Sequence, residues 1–158
     1  MKKILLTILL LSSYSFADEE YKISEWNIIK EKNKLFDNVN YHALLYPKNG
    51  TGTFILRCKD NITSAFIAFD DYYFSDDYSL VYIRMDGGKA LPAVWKMGIK
   101  YNSLFSSKPI KFIRRLSDKK KLLIGYTSKH MTNEVTEFDL EGIDKVSAEV
   151  SQHCNWKI

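Results

Sequence analysis

Hydrophobic and polar positions alternate with a period of two along most of this chain, the pattern of half-buried strands. Thr51 to Cys58 is the clearest case: Phe54, Leu56 and Cys58 fall on one face, Thr53, Ile55 and Arg57 on the other. Leu80 to Asp86 repeats it, with Val81, Ile83 and Met85 inward and Tyr82, Arg84 and Asp86 outward. Further strands are predicted at Trp26 to Ile29, Val39 to Tyr46, Ile62 to Phe69, Pro92 to Ile99, Leu122 to Thr127 and Glu134 to Phe138. The punctuation between them is turn chemistry. Pro47-Lys48-Asn49-Gly50 predicts a tight hairpin, since Asn-Gly supplies positive φ. Lys59-Asp60-Asn61 and Asp86-Gly87-Gly88 predict two further turns.

Two segments change period. Pro109 to Leu116 predicts a short helix with Pro near its start and Ile110, Phe112 and Ile113 on the apolar side. Leu140, Ile143, Val146, Val150 and Cys154 recur every three or four residues and predict a C-terminal helix, with Asp139 as N-cap. The expected fold is mainly β, a β-rich α+β arrangement. It is an antiparallel, sandwich-like single domain with one helix at 109–116 and one at the C-terminus.

The start of the chain reads differently. Lys2 and Lys3, the apolar run Ile4 to Leu11 and the small-x-small Ser15-Phe16-Ala17 form the pattern of a secretory signal peptide, residues 1–17. Cleavage after Ala17 removes 17 of 158 residues and leaves 141, a length suited to one domain spanning 18–158. The leader is too short to span a bilayer, and no later run reaches the about 18 apolar residues a span needs. Its brevity points to a bacterial exporter, with the periplasm, or the outside, as destination. Export in turn makes the only two cysteines, Cys58 and Cys154, an expected disulfide. It would pin the terminal helix to the strand face.

Composition narrows the partners. The formal charge of +4 falls to +2 without Lys2 and Lys3, a balance that does not suggest nucleic acid. His42, His130, His153 and the two cysteines show no zinc spacing, so no metal and no cofactor are expected. No G-x-S-x-G and no Gly-rich histidine loop support nucleophilic catalysis. The segment from Phe69 to Tyr78 combines Asp70, Asp71, Asp76 and Asp77 with Tyr72 and Tyr73, and is a candidate acidic, aromatic recognition loop for a cationic partner. A carboxylate pair acting on peptidoglycan is the enzymatic alternative, and a plain surface turn the bland one. Lys108, Lys111, Arg114, Arg115 and Lys119 to Lys121 form the opposite charge cluster, suited to anionic lipid headgroups, to an acidic protein, or simply to water. Arg84 and Asp86 share a strand face as an expected exposed ion pair.

Ordered landmarks run through the chain: Trp26, the box Leu56-Arg57-Cys58-Lys59-Asp60-Asn61, Arg84 with Asp86, Trp95, Ile110-x-Phe112-Ile113, Phe138-Asp139-Leu140-x-Gly142-Ile143 and the ending Cys154-Asn155-Trp156. In these the sequence resembles the VasI family of type VI secretion-associated exported proteins, which has prophage relatives. The resemblance implies a non-enzymatic periplasmic accessory or binding protein with an envelope protein partner, a component of the secretion apparatus. The alternative is an inhibitor, immunity protein or prophage exclusion factor that binds a toxin or cell-wall hydrolase. The family brings no catalytic residues to carry over, and the acidic segment at Asp70 to Asp77 lies outside its pattern.

Overall fold

The computed structural model describes residues 18–33, 35, 38–70, 74, 76–128 and 132–158. The proposed leader at 1–17 lies outside them, as do His130, Asp71, Tyr72 and Tyr73. Among the described residues the chain runs β1 (Glu19–Ile23), β2 (Trp26–Lys32), β3 (Val39–Leu45), β4 (Thr53–Lys59), β5 (Ile62–Ala68), β6 (Tyr78–Met85), β7 (Leu91–Met97) and β8 (Ser103–Ser106). Helix α1 (Pro109–Leu116), β9 (Lys121–Thr127), β10 (Asn133–Asp139) and helix α2 (Ile143–His153) complete it. The strands form one antiparallel sheet in the order β1-β2-β3-β4-β5-β8-β7-β6-β9-β10. The fold is mainly β, with helices where the period changes.

The sheet curls so that its distant parts meet. The loop after β3 bonds to β10: Lys48 N–H donates to Glu137 O at 2.8 Å, and Glu137 N–H to Asn49 O at 2.9 Å. Phe54 on β4 lies 5.6 Å from Phe138 on β10 and 6.2 Å from Phe112 on α1, ring centre to ring centre. Trp26, Leu56, Ile67, Leu104, Ile113 and Leu122 are fully buried in the same core. Burying these side chains supplies the main driving force for the curl, at about 25 cal/mol per Å² of apolar surface.

The alternation decides which side chains reach that core. Phe54, Leu56 and Cys58 are buried while Thr53, Ile55 and Arg57 are half-exposed, and Val81 and Ile83 point in from β6. Four expectations change. The Asn49-Gly50 hairpin is a wider loop: of that pair Gly50 alone takes positive φ (91°), Gly52 also does so (88°), and Asn49 pairs with Glu137 on β10. Gly50 is required there because a Cβ would lie 2.6 Å from Val135 O. Asp139 ends β10 rather than capping α2. The helix starts after Gly142, and the Asp139 carboxylate accepts from Glu141 N–H at 3.2 Å and pairs with Lys48 at 2.8 Å. Arg84 and Asp86 do not pair: Arg84 donates to Gly87 O, while Asp86 Oδ1 accepts the backbone N–H groups of Lys120 (2.8 Å) and Lys121 (3.0 Å). Finally, β1 and β8 add to the predicted strands, and Ile99, expected within β7, is 99% exposed beyond its end.

Candidate functional site

The turn from β4 to β5 and the end of α2 meet at one place. In the turn, Lys59 pairs with Ile62 and leaves two central residues, Asp60 (φ 50°) and Asn61 (φ 64°), both left-handed. This is the two-residue hairpin geometry that Asn and Asp tolerate better than other side chains. The Asn40 side chain fixes it by accepting from Asp60 N–H at 3.1 Å. Helix α2 stops in an equivalent way. Asn155 is left-handed (φ 55°), and Trp156 N–H reaches back to Ser151 O at 3.0 Å, a Schellman ending.

Three links then join turn to helix end. Cys58 and Cys154 form a disulfide, with Cα atoms 5.6 Å apart. Asn155 Nδ2 donates to Asn61 Oδ1 at 3.1 Å. The Trp156 indole N–H donates to Thr63 Oγ1 at 2.8 Å. The Arg57-to-Asn61 box and the Cys154-Asn155-Trp156 ending, far apart in sequence, thus fold into a single wall.

That wall bounds a cleft of about 660 Å³. The cleft is lined by Lys30, Asn38, Asn61, Glu149, Gln152, His153 and Asn155, with Val39. The lining is rich in side-chain amides, each able to donate and accept. The Asn38 amide oxygen is buried with no hydrogen-bond partner among the described residues.

The charged groups of the cleft hold one another. The Tyr21 hydroxyl donates to Glu149. Lys30 Nζ sits 4.7 Å above the Tyr21 ring and 3.5 Å from the Glu19 carboxylate. Burial, then the hydrogen bond to Glu149, raises the Tyr21 pKa, so the phenol stays protonated. Desolvation works against the Lys30 ammonium, but Tyr21, Glu149 and Glu19 more than offset it and its pKa is raised. Beneath them Tyr41, fully buried, stacks on the His153 imidazole with centres 5.1 Å apart. Burial, with the Glu149 charge second, pushes the Tyr41 hydroxyl far above the ordinary tyrosine range. Burial and then the Lys30 charge lower the His153 pKa, so this ring is neutral at pH 7. The cleft therefore presents a cation, a carboxylate and neutral amides on a rigid, cross-linked base, an arrangement suited to holding a polar ligand.

The sequence-predicted loop divides differently. Asp70, Asp76 and Asp77 are exposed, while Asp71, Tyr72 and Tyr73 lie outside the described residues. The phenylalanines of that segment serve the core: Phe69 and Phe74 are buried and pack edge-on against each other and Tyr126, at 5.1 to 5.9 Å. The sequence reading missed the cleft because its amides come from three separate stretches, around Asn38, at Asn61 and at the end of α2. Asn61 was visible only as a turn and box residue, and Asn155 only as a member of its box. Among the described residues no cluster of histidine, cysteine and acidic side chains is placed to hold a metal.

No family model, curated protein or solved structure matches this chain. The cleft is therefore interpreted from its own chemistry. None of the described helices is long and apolar enough to cross a membrane.

Proposed function

We propose that this chain is an exported binding protein of the bacterial envelope, a periplasmic accessory factor of the kind the VasI resemblance implies, and that the amide-rich cleft is its recognition surface. One observation carries the reading. The two boxes behind the resemblance, Arg57 to Asn61 and Cys154 to Trp156, form one disulfide-clamped wall of that cleft. A disulfide of this kind persists in an oxidising compartment and is rare in the cytosol. It also makes the wall rigid, which lowers the ordering cost of binding. Glu149 and Lys30 are already engaged by Tyr21, which favours recognition over proton transfer at this site.

Export is tested by the mass and thiol state of the chain recovered from the periplasm. The expected form begins at Asp18 and has no free thiol. A cytosolic chain that retains residues 1–17 and two reducible thiols overturns the reading. Recognition is tested with a photo-crosslinking residue at Gln152, in the cleft, and another at Lys100, outside it. The expected result is an adduct to one envelope protein from Gln152 only, identified as a secretion-apparatus component. An adduct to a toxin or cell-wall hydrolase replaces this reading with the inhibitor one. Identical adducts from both positions remove the cleft as the site.

A further inference from the structure

Helix α1 and the strands beside it carry a second feature, remote in sequence from the cleft. The inner face of α1 is spent on the core, where Phe112, Ile113 and Leu116 are buried. Its outer face carries Lys108, Lys111, Arg114 and Arg115, all exposed. Between this face and β6–β7 runs a furrow in two sections of about 290 and 570 Å³, which share Ile83 and Arg115. In the first section the floor is apolar. Trp95 and Phe112 meet edge to face at 5.3 Å, next to Ile83 and Ala93. Lys108, Lys111 and Arg115 stand on its walls with the Ser106 and Ser107 side chains. The second section adds Lys89, Arg114 and Lys119. The single acid along both sections, Asp118, is paired with Lys119 at 3.0 Å. At the rim, β7 presents Leu91, 43% exposed, paired with Ile83 and on the same face of the sheet.

With Lys119 matched to Asp118, the five further cations Lys89, Lys108, Lys111, Arg114 and Arg115 set the sign of the occupant. The apolar floor and the exposed aliphatic rim set its second property. We propose that this furrow docks the protein on a bilayer surface of anionic phospholipid. The phosphate is held between Lys108, Lys111 and Arg115, and Leu91 enters the boundary between headgroups and acyl chains. Basic side chains near an anionic leaflet and exposed apolar groups beside them act together in peripheral binding, since neither alone holds a protein firmly. Arg115 matters most for placement, because it borders both sections of the furrow, and because guanidinium matches phosphate in two-point geometry. This docking is independent of the cleft, and a chain unable to recognise a partner there would still bind lipid.

Flotation of the disulfide-bonded protein with vesicles tests it. Vesicles of phosphatidylglycerol mixed with phosphatidylethanolamine should carry the protein up the gradient, and vesicles of phosphatidylcholine should not. Lys111→Gln with Arg115→Gln should weaken partitioning roughly thirty-fold, as the loss of two basic residues near an anionic surface implies. Leu91→Asp should weaken it with the cations intact. Lys145→Gln, on the exposed side of α2, should change nothing, and the thermal melts of all variants should match the parent. Equal flotation with phosphatidylcholine, or no response to the Lys111/Arg115 change, overturns the proposal. So does competition by glycerol phosphate at concentrations too low to screen charge, which would make the furrow a soluble-phosphate site. Absence of flotation together with an envelope protein crosslinked from Lys111 makes it an acidic-protein site and overturns the lipid reading.

Discussion

The Trp156 indole N–H donates to Thr63 Oγ1 at 2.8 Å, so the last turn of the chain is bound to the first residues of β5. Arg114 covers the same tryptophan from the other side, its guanidinium 5.6 Å from the ring and donating from Nε to Lys157 O at 2.9 Å. The C-terminal tail is therefore held by β5, by α1 and, two residues before Trp156, by the disulfide. This has direct consequences for stability.

Reduction should loosen the molecule. The disulfide closes a loop of 96 residues, and cross-links over such distances contribute about 2–4 kcal/mol, chiefly by restricting the unfolded chain. Cys154→Ser should therefore lower the melting temperature by roughly ten degrees for a domain of this size. Reductant should lower the melt of the parent to the same degree and leave that of the variant unchanged. Equal melts for parent and variant would show that the bridge does not constrain the unfolded chain.

Asn155 should tolerate glycine better than a branched side chain. Its φ of 55° is left-handed, where Gly is unstrained and Asn is acceptable, while a β-branched residue is strained by about 1–2 kcal/mol. Asn155→Gly loses the bond to Asn61 but keeps the helix ending. Asn155→Val loses both. Denaturant melts should rank parent, Asn155→Gly and Asn155→Val in that order. A reversal of the last two would mean that the Schellman ending is not what matters at this position.

Gly142 should resist any side chain. Its φ is 84°, and a Cβ there would lie 2.9 Å from Ile23 Cγ2 and 3.1 Å from Ser24 Oγ on the turn between β1 and β2. Gly142→Ala should destabilise by about 1–2 kcal/mol through left-handed strain alone, with the clash added to it. Chemical denaturation reads this as a lower midpoint at unchanged slope.

These positions show how much could be read from the chain. The period-two alternation in β4 and β6 and the change of period at Pro109 and Leu140 placed most strands and both helices. Those signals are local and survive whatever the partner strand is. The disulfide followed from compartment and count. What escaped depends on long-range pairing. β8 is four residues long, and its two partners come from opposite directions, β5 on one side and β7 on the other. Asp139 resembled an N-cap because it precedes an apolar helical repeat, but Lys48 and Glu141 N–H claim its carboxylate. Asp86 resembled a partner for Arg84, but two backbone N–H groups of the α1–β9 connection stabilise it better than one mobile guanidinium. The cleft escaped because its residues carry no motif until the turn and the helix end meet.

Asp86 also gives a test at low pH. Its carboxylate accepts from Lys120 and Lys121 N–H, and the Lys120 bond chiefly holds its pKa below the usual carboxylate value of 3.8. A depressed folded pKa adds stability above the unfolded pKa, lost as pH falls through the folded one. Asp86→Ala should melt lower than the parent at pH 7, and the gap should close below pH 3 or so, in the range of protonated carboxylates. Asp86→Asn keeps an acceptor and tolerates the φ of 49°, so it should lie between the two.

His153 works in the opposite sense, through the proton it does not take up. Burial against Tyr41, with Lys30 nearby, lowers its pKa from 6.5, and burial likewise lowers that of His42 on β3. Above the unfolded value both rings are neutral in the folded and unfolded chain, and they add no pH dependence. As pH falls below 6.5 the unfolded chain binds protons that the folded chain refuses, so stability declines until the folded pKa is passed. The facing groups are Glu149 and Glu19, which favour the charged ring, and Lys30, which opposes it. Melts between pH 7.5 and pH 5 should therefore stay level for the parent at first and fall once the pH drops through about 6.5. His153→Phe keeps an aromatic ring on Tyr41 and removes the proton-binding site. Its melt should fall less over the same range, with His42 supplying the remainder. A parallel decline in parent and variant would mean that His153 stays solvated enough to protonate in the folded protein, and that the base of the cleft is wetter than its packing implies.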